Sequence, residues 1–143
     1  MVTNWIFGAL ALWLIVRQVA PIIGVRKYTP KDLQSLLDQG RVALVDVRSP
    51  AEYQSSHIPE SQSVPLNEIR HKAAEIDRSK AVILVCRSGY RAMQAFHILK
   101  RRGFTEHGVL QGGIIAWEAL RADQARARSM GLPTKDDNYD PSI

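Results

Sequence analysis

Residues 81–91 read Ala-Val-Ile-Leu-Val-Cys-Arg-Ser-Gly-Tyr-Arg, and the order of those residue types decides the fold. Five consecutive apolar side chains leave no polar alternate position, which is the pattern of a strand buried on both faces. The run leads straight into Cys86, and Gly89 supplies the backbone freedom that a tight loop needs. From Tyr90 onward the period changes. Ala92, Met93, Ala95, Phe96 and Leu99 recur at helical spacing, and Gly103 supplies the stop. A buried strand, a short loop and an amphipathic helix form part of a β-α-β unit.

The neighbouring segments repeat the theme. Residues 42–47 (VALVDV) are a second short apolar run of buried-strand type, and residues 108–111 form a small third one. Thr29-Pro30 reads as an N-cap followed by a first-turn proline, opening a helix whose apolar face is Leu33, Leu36 and Leu37 and which ends near Gly40. A short helix is expected over residues 67–76, and Gly112-Gly113 leads into another that holds Ile114, Trp117 and Leu120. Strands alternating with helices predict an α/β domain with a parallel sheet covered on both faces.

In such sheets, ligands bind beyond the carboxyl ends of the strands, where loops turn into helices. Here that place holds Cys86, Arg87, Ser88, Gly89, Tyr90 and Arg91. Successive loop N–H groups can converge on one point, and the following helix N-terminus adds positive potential. A thiol flanked by two arginines at such a point is expected to ionise readily to the nucleophilic thiolate. The same cradle suits a persulfide anion. A lone cysteine ending a strand is often only a small core residue, but Arg-x-Gly-x-Arg directly after it argues against that. Arg91, last in the loop, is expected to contact an anion, with Arg87 the lesser of the two. Asp46 at its strand end is read as structural, bonding to loop N–H groups or to an arginine, and Arg48 is expected to pair with Glu52. His57 is read as a turn histidine bonded to backbone, and Tyr53 and Trp117 as core or rim aromatics.

Asp46-Val47-Arg48, Glu52-Tyr53, His57-Ile58-Pro59, the loop of residues 86–91, Gly112-Gly113 and Trp117 occur in the order and spacing of a known family. Over residues 27–121 the chain resembles the single-domain rhodanese-like sulfurtransferases. The resemblance implies about five parallel strands flanked by helices. It also implies that Cys86 carries sulfane sulfur from a donor such as thiosulfate to a thiophilic acceptor, with residues 87–91 binding the substrate. Ser56 and Glu60-Ser61 depart from that family's usual turn, away from the loop. Cys86 and Arg91 close a Cys-x₄-Arg loop, one residue shorter than in the related phosphatases and arsenate reductases, which favours sulfur over phosphorus chemistry. The alternative from another class is a non-catalytic anion-binding or sensor module.

The N-terminal segment differs sharply. Residues 5–16 (WIFGALALWLIV) are apolar or small throughout, and no charge precedes Arg17. With residues 19–25 (VAPIIGV) this predicts a transmembrane helix within residues 1–25, Arg17 snorkelling at one interface. The run starts without Lys or Arg and lacks a small-residue cleavage site, so a cleaved signal peptide fits less well. Arg17, Arg26 and Lys27 follow the run, so the expected location is the cell (inner) membrane, single-pass, with the domain in the cytoplasm. The expected organisation is an anchor over 1–25, a rhodanese-like domain over 26–125 and a polar tail over 126–143. The single cysteine rules out an intramolecular disulfide, and four scattered histidines predict no metal site. A net charge of +5 without a basic run interleaved with aromatics suits a small anionic sulfur donor or a membrane surface better than nucleic acid. Lys100-Arg101-Arg102 is read as complementing a helix dipole. The sulfur acceptor is expected to be a thiol or a protein, and no cofactor is expected.

Overall fold

The computed structural model describes the backbone of residues 2–133, and the side chains of all these except 2–4 and 17–23. Helix α1 (Val2–Ile23) comes first. Strand β1 (Lys27–Tyr28), helix α2 (Pro30–Asp38), strand β2 (Val42–Asp46), helix α3 (Pro50–Ser55) and strand β3 (Ser61–Ser63) follow. Helix α4 (Ile69–Lys72) runs into a 3₁₀ turn (Ala73–Glu75), and then come β4 (Ala81–Val85), α5 (Tyr90–Arg101), β5 (His107–Leu110) and α6 (Gly113–Ser129).

The five strands form one sheet in the order β1-β5-β4-β2-β3, every pair parallel. The expected parallel sheet is therefore present, with β4 at its centre. Strand periodicity splits the core into two layers. Val82, Leu84 and Cys86 face α4 and α5 with Ala92, Ala95, Phe96 and Leu99, whereas Ile83 and Val85 face Leu33 of α2 and Ile114 and Trp117 of α6. Each face of β4 needs its own helical cover, which explains why the strand carries no polar residue.

Helix α2 starts as its sequence requires. The Thr29 hydroxyl accepts the Asp32 N–H, Asp32 accepts the Thr29 N–H, and Pro30 fills the first turn. Helix α6 runs through Ser129, so residues 126–129, expected within the polar tail, are helical. The cause is local: Ala, Arg and Gln dominate residues 119–128, and all are good helix formers. The rest of the expected tail from residue 134 lies outside the described residues.

The described residues do not show the expected transmembrane span. Among the described residues no helix is long and apolar enough to cross a membrane. The Arg17 side chain lies outside the described residues. Each described side chain from Trp5 to Val16 is exposed, including Trp5, Phe7, Trp13 and Ile15.

Candidate functional site

Successive strands move from β2 outward to β3, then return to β4 and continue the other way to β5. The carboxyl ends of β2 and β4 therefore flank the point where the winding reverses, the usual place for a ligand in such sheets. The two ends are tied directly, since the Val47 N–H donates to the Val85 carbonyl at 2.9 Å.

Cys86 continues β4 onto its α5 face and is 1% exposed. Its sulfur accepts the Gly89 N–H at 2.9 Å. That bond curls the backbone around Sγ, and it requires φ = +117° at Gly89, a region a side chain disfavours. The first backbone bond within α5 runs from the Met93 N–H to the Gly89 carbonyl, so the first-turn N–H groups lack intrahelical partners and the positive end of a 12-residue helix faces the loop. Ser88 and Tyr90 are exposed at the rim, Tyr90 by 73%.

Gly113 braces the loop from behind. Its φ is +61°, and a Cβ there would lie 2.4 Å from the Arg87 carbonyl oxygen and 2.5 Å from that of Cys86. The Ile114 N–H then donates to the Cys86 carbonyl at 2.9 Å. The start of α6 thus clamps the first two loop residues. Gly112-Gly113 is visible in the sequence, but only the packing shows what it touches.

Asp46 and Arg48, both read as structural from the sequence, pair with each other. Asp46 is 1% and Arg48 4% exposed, with Arg48 Nη2 2.8 Å from Asp46 Oδ2 and Nε 3.0 Å from Oδ1. Asp46 Oδ1 also accepts the Arg48 N–H, and Arg48 Nη2 donates to the Ser56 carbonyl at 2.6 Å. The expected Arg48–Glu52 pair is therefore corrected. Residues two apart at a strand end share a face, which brings Arg48 to Asp46.

Glu52 instead meets Arg91. Arg91 Nη1 and Nη2 donate to its two carboxylate oxygens at 2.7 and 2.8 Å. These bonds, and then the Ser49 N–H, hold the Glu52 carboxyl well below the usual carboxylate range, while Glu52 raises the pKa of Arg91. Arg91, expected to contact an anion, thus also pairs with Glu52 through one N–H on each outer nitrogen of a guanidinium that carries five. The Arg87 side chain is exposed and has no carboxylate partner among the described residues.

Sequence reasoning passes over α3 and over Glu52 as a partner of the loop. A signal was there: Ser49-Pro50-Ala51-Glu52 repeats the capping pattern of Thr29-Pro30-Lys31-Asp32. His57 matches its expectation, with Nδ1 2.8 Å from the Tyr53 carbonyl oxygen and the two rings stacked at 3.9 Å. Trp117 is buried, and the Tyr53 hydroxyl donates to the Ser61 carbonyl.

Comparison with known proteins bears on this geometry. Residues 29–120 match the family described as rhodanese-like domain. A sulfurtransferase of Allochromatium vinosum is 40% identical over 84 residues, covering 59% of this chain and 78% of that one. The thiosulfate sulfurtransferase GlpE of Pseudoalteromonas translucida is 34% identical, covering 62% and 85%. The probable adenylyltransferase/sulfurtransferase MoeZ of Mycobacterium tuberculosis is 38% identical over 92 residues, and the match spans 24% of its length. Among solved structures, the human single-domain sulfurtransferase TSTD1 superposes with a TM-score of 0.60 at 25% identity, covering 67% of this chain and 97% of that one.

Proposed function

The chain belongs to the rhodanese-like domain family, and from that premise we propose that it is a sulfurtransferase whose Cys86 carries sulfane sulfur as a persulfide. The single observation that carries this reading is the Gly89 N–H aimed at the Cys86 sulfur at 2.9 Å, at the positive end of α5. A group built to receive negative charge on sulfur suits a thiolate before the transfer and a persulfide anion after it. Relatives named as sulfurtransferase and thiosulfate sulfurtransferase support the same class.

In the proposed cycle the Cys86 thiolate attacks the outer sulfur of thiosulfate, the S–S bond breaks, and sulfite leaves with the bonding pair. An acceptor, cyanide or a thiolate, then attacks the terminal sulfur of Cys86–S–S⁻ and restores the Cys86 thiolate. Arg87, open at the rim, attracts the anionic donor. Cys86 is the chain's one cysteine, so no second thiol can resolve the persulfide internally, and an external acceptor completes the cycle.

The second part of the proposal concerns place. Residues Trp5–Val16 of α1 are apolar on every side and exposed, a surface that water does not stabilise and acyl chains do. We infer that α1 inserts into a membrane. Arg26 and Lys27 follow it, which favours a cytoplasmic domain.

Mass spectrometry of the full-length chain in detergent tests the activity. After incubation with thiosulfate the mass should rise by one sulfur atom, located on Cys86 and removed by cyanide. Cys86→Ser should fold, gain no sulfur and show no turnover. A wild-type chain that never accepts sulfur would replace this reading with the non-catalytic anion-binding module.

A further inference from the structure

The strands are all parallel, so one end of the sheet gathers every strand's amino end and the opposite end gathers every carboxyl end. The Cys86 loop lies at the carboxyl end. Helix α1 enters at the amino end, through Gly24 and into β1. That same end is basic. Lys100, Arg101 and Arg102 lie at the close of α5, and Arg41 and Lys80 stand just before β2 and β4, all of them exposed.

Two contacts tie this end to the exit of α1, and a basic cleft lies at the close of α5. A Cβ built on Gly24 would lie 3.6 Å from Lys100 Nζ, so the lysine sits beside the exit of the apolar helix. Val25 packs against the core layer beneath α5, fixing that exit to the domain. A cleft of about 230 Å³ is lined by Arg70, Ile98, Arg101 and Arg102, with Arg70 contributed by α4 and the rest by the end of α5. None of these three arginines has a carboxylate partner among the described residues. Of the acids at this end, Glu106 is engaged by Arg26 and Asp77 by Ser79, while Asp38 and Glu75 close α2 and the 3₁₀ turn. Complementing the α5 dipole accounts for Arg101 and Arg102 but not for Arg70, which arrives from another element at the same cleft.

We propose that this basic end rests on the anionic headgroups of the bilayer that holds α1, with the Cys86 loop turned away from the membrane. The proposal rests on the reading of α1 given above. Clustered Lys and Arg beside a membrane-embedded helix match a negatively charged lipid surface. Ile98 in the cleft adds an apolar floor beneath the guanidinium groups. The five-residue β4 and the 12-residue α5 then hold the sulfur loop roughly 17 Å above the lipid, open to acceptors arriving from the aqueous phase.

Partition of the full-length chain between buffer and vesicles tests this. The vesicles are phosphatidylcholine alone or phosphatidylcholine enriched in phosphatidylglycerol. Wild type should bind the anionic vesicles more tightly. The triple variant Arg70→Gln, Arg101→Gln, Arg102→Gln should lose about fivefold per arginine, roughly a hundredfold in all, on anionic vesicles only. Equal partition of wild type and the triple variant on anionic vesicles overturns the proposal and leaves the α1 reading standing. Arginine-dependent binding to anionic vesicles with none to neutral ones supports the basic face while removing the α1 reading. For orientation, a fluorophore at Lys100→Cys in a Cys86→Ser background should be quenched by headgroup-level quenchers more than one at Gln111→Cys. The reverse order overturns the orientation.

Discussion

Glu52 and Arg91, 39 positions apart, share two hydrogen bonds of 2.7 and 2.8 Å that pin the last residue of the sulfur loop to the helix after β2. The pair couples Arg91 to α3, while Arg87 stands exposed at the rim of the loop without a carboxylate partner among the described residues. The carboxylate also caps α3 through the Ser49 N–H, so one side chain fixes both a helix start and a loop end.

A first prediction separates the two arginines. Arg91→Ala and Glu52→Gln remove the same pair, so each should slow sulfur transfer by about tenfold, the equivalent of roughly 1.5 kcal/mol, and the double variant should be no worse than either. Were Arg91 an anion clamp, Glu52→Gln would free it and raise activity. Arg87→Ala should act on the donor instead, lowering kcat/KM for thiosulfate by roughly 10- to 150-fold. Steady-state kinetics of the four variants decides between these roles.

Acid should unfold the domain in two stages. Burial lowers the His107 pKa from its usual 6.5, so the unfolded chain takes up that proton first and stability falls as pH drops below 6.5. The Glu52 pKa is likewise depressed from 4.5, chiefly by Arg91, so its contribution is whole above 4.5 and is lost as pH falls through the folded value. Melting temperature against pH should show both steps. His107→Phe, which keeps the stack on Phe96, should erase the upper step, and Glu52→Gln the lower. An unchanged pH profile in either variant refutes its assignment.

The buried Asp46–Arg48 pair sets a stability prediction. Asp46→Ala leaves a guanidinium that is 4% exposed without its counter-charge, which should cost about 3–5 kcal/mol. Replacing both residues by apolar ones of similar volume should recover much of that loss. Urea denaturation of both variants measures it, and a loss under 1 kcal/mol for Asp46→Ala would show that the pair is solvated.

Gly113→Ala should damage the site more than the fold. The left-handed backbone costs an L-residue about 1–2 kcal/mol, and the new methyl must displace the carbonyls of Cys86 and Arg87. Sulfur loading of Cys86 should fall by at least tenfold while the domain stays folded at room temperature, as read by mass spectrometry and circular dichroism. Normal loading would mean that the α6 turn does not set the loop.

The central strands, the capped start of α2, the loop of residues 86–91 and the helix after it were legible in the sequence. Each rests on an interaction within a few residues: alternation of faces, a cap three positions away, a glycine at a turn. Strands β1 and β3 are two and three residues long, too short to carry any period, and became strands only by pairing with β5 and β2. The partners of the arginines were decided by the tertiary structure alone. Spacing along the chain placed Arg48 near Glu52, but the parallel crossover carries α3 over to the carboxyl end of β4. There Glu52 reaches Arg91 with both oxygens, while Arg48 turns back on the same strand end to Asp46. A charge can pair with any opposite charge that the fold brings within reach, so its sequence neighbourhood does not name its partner.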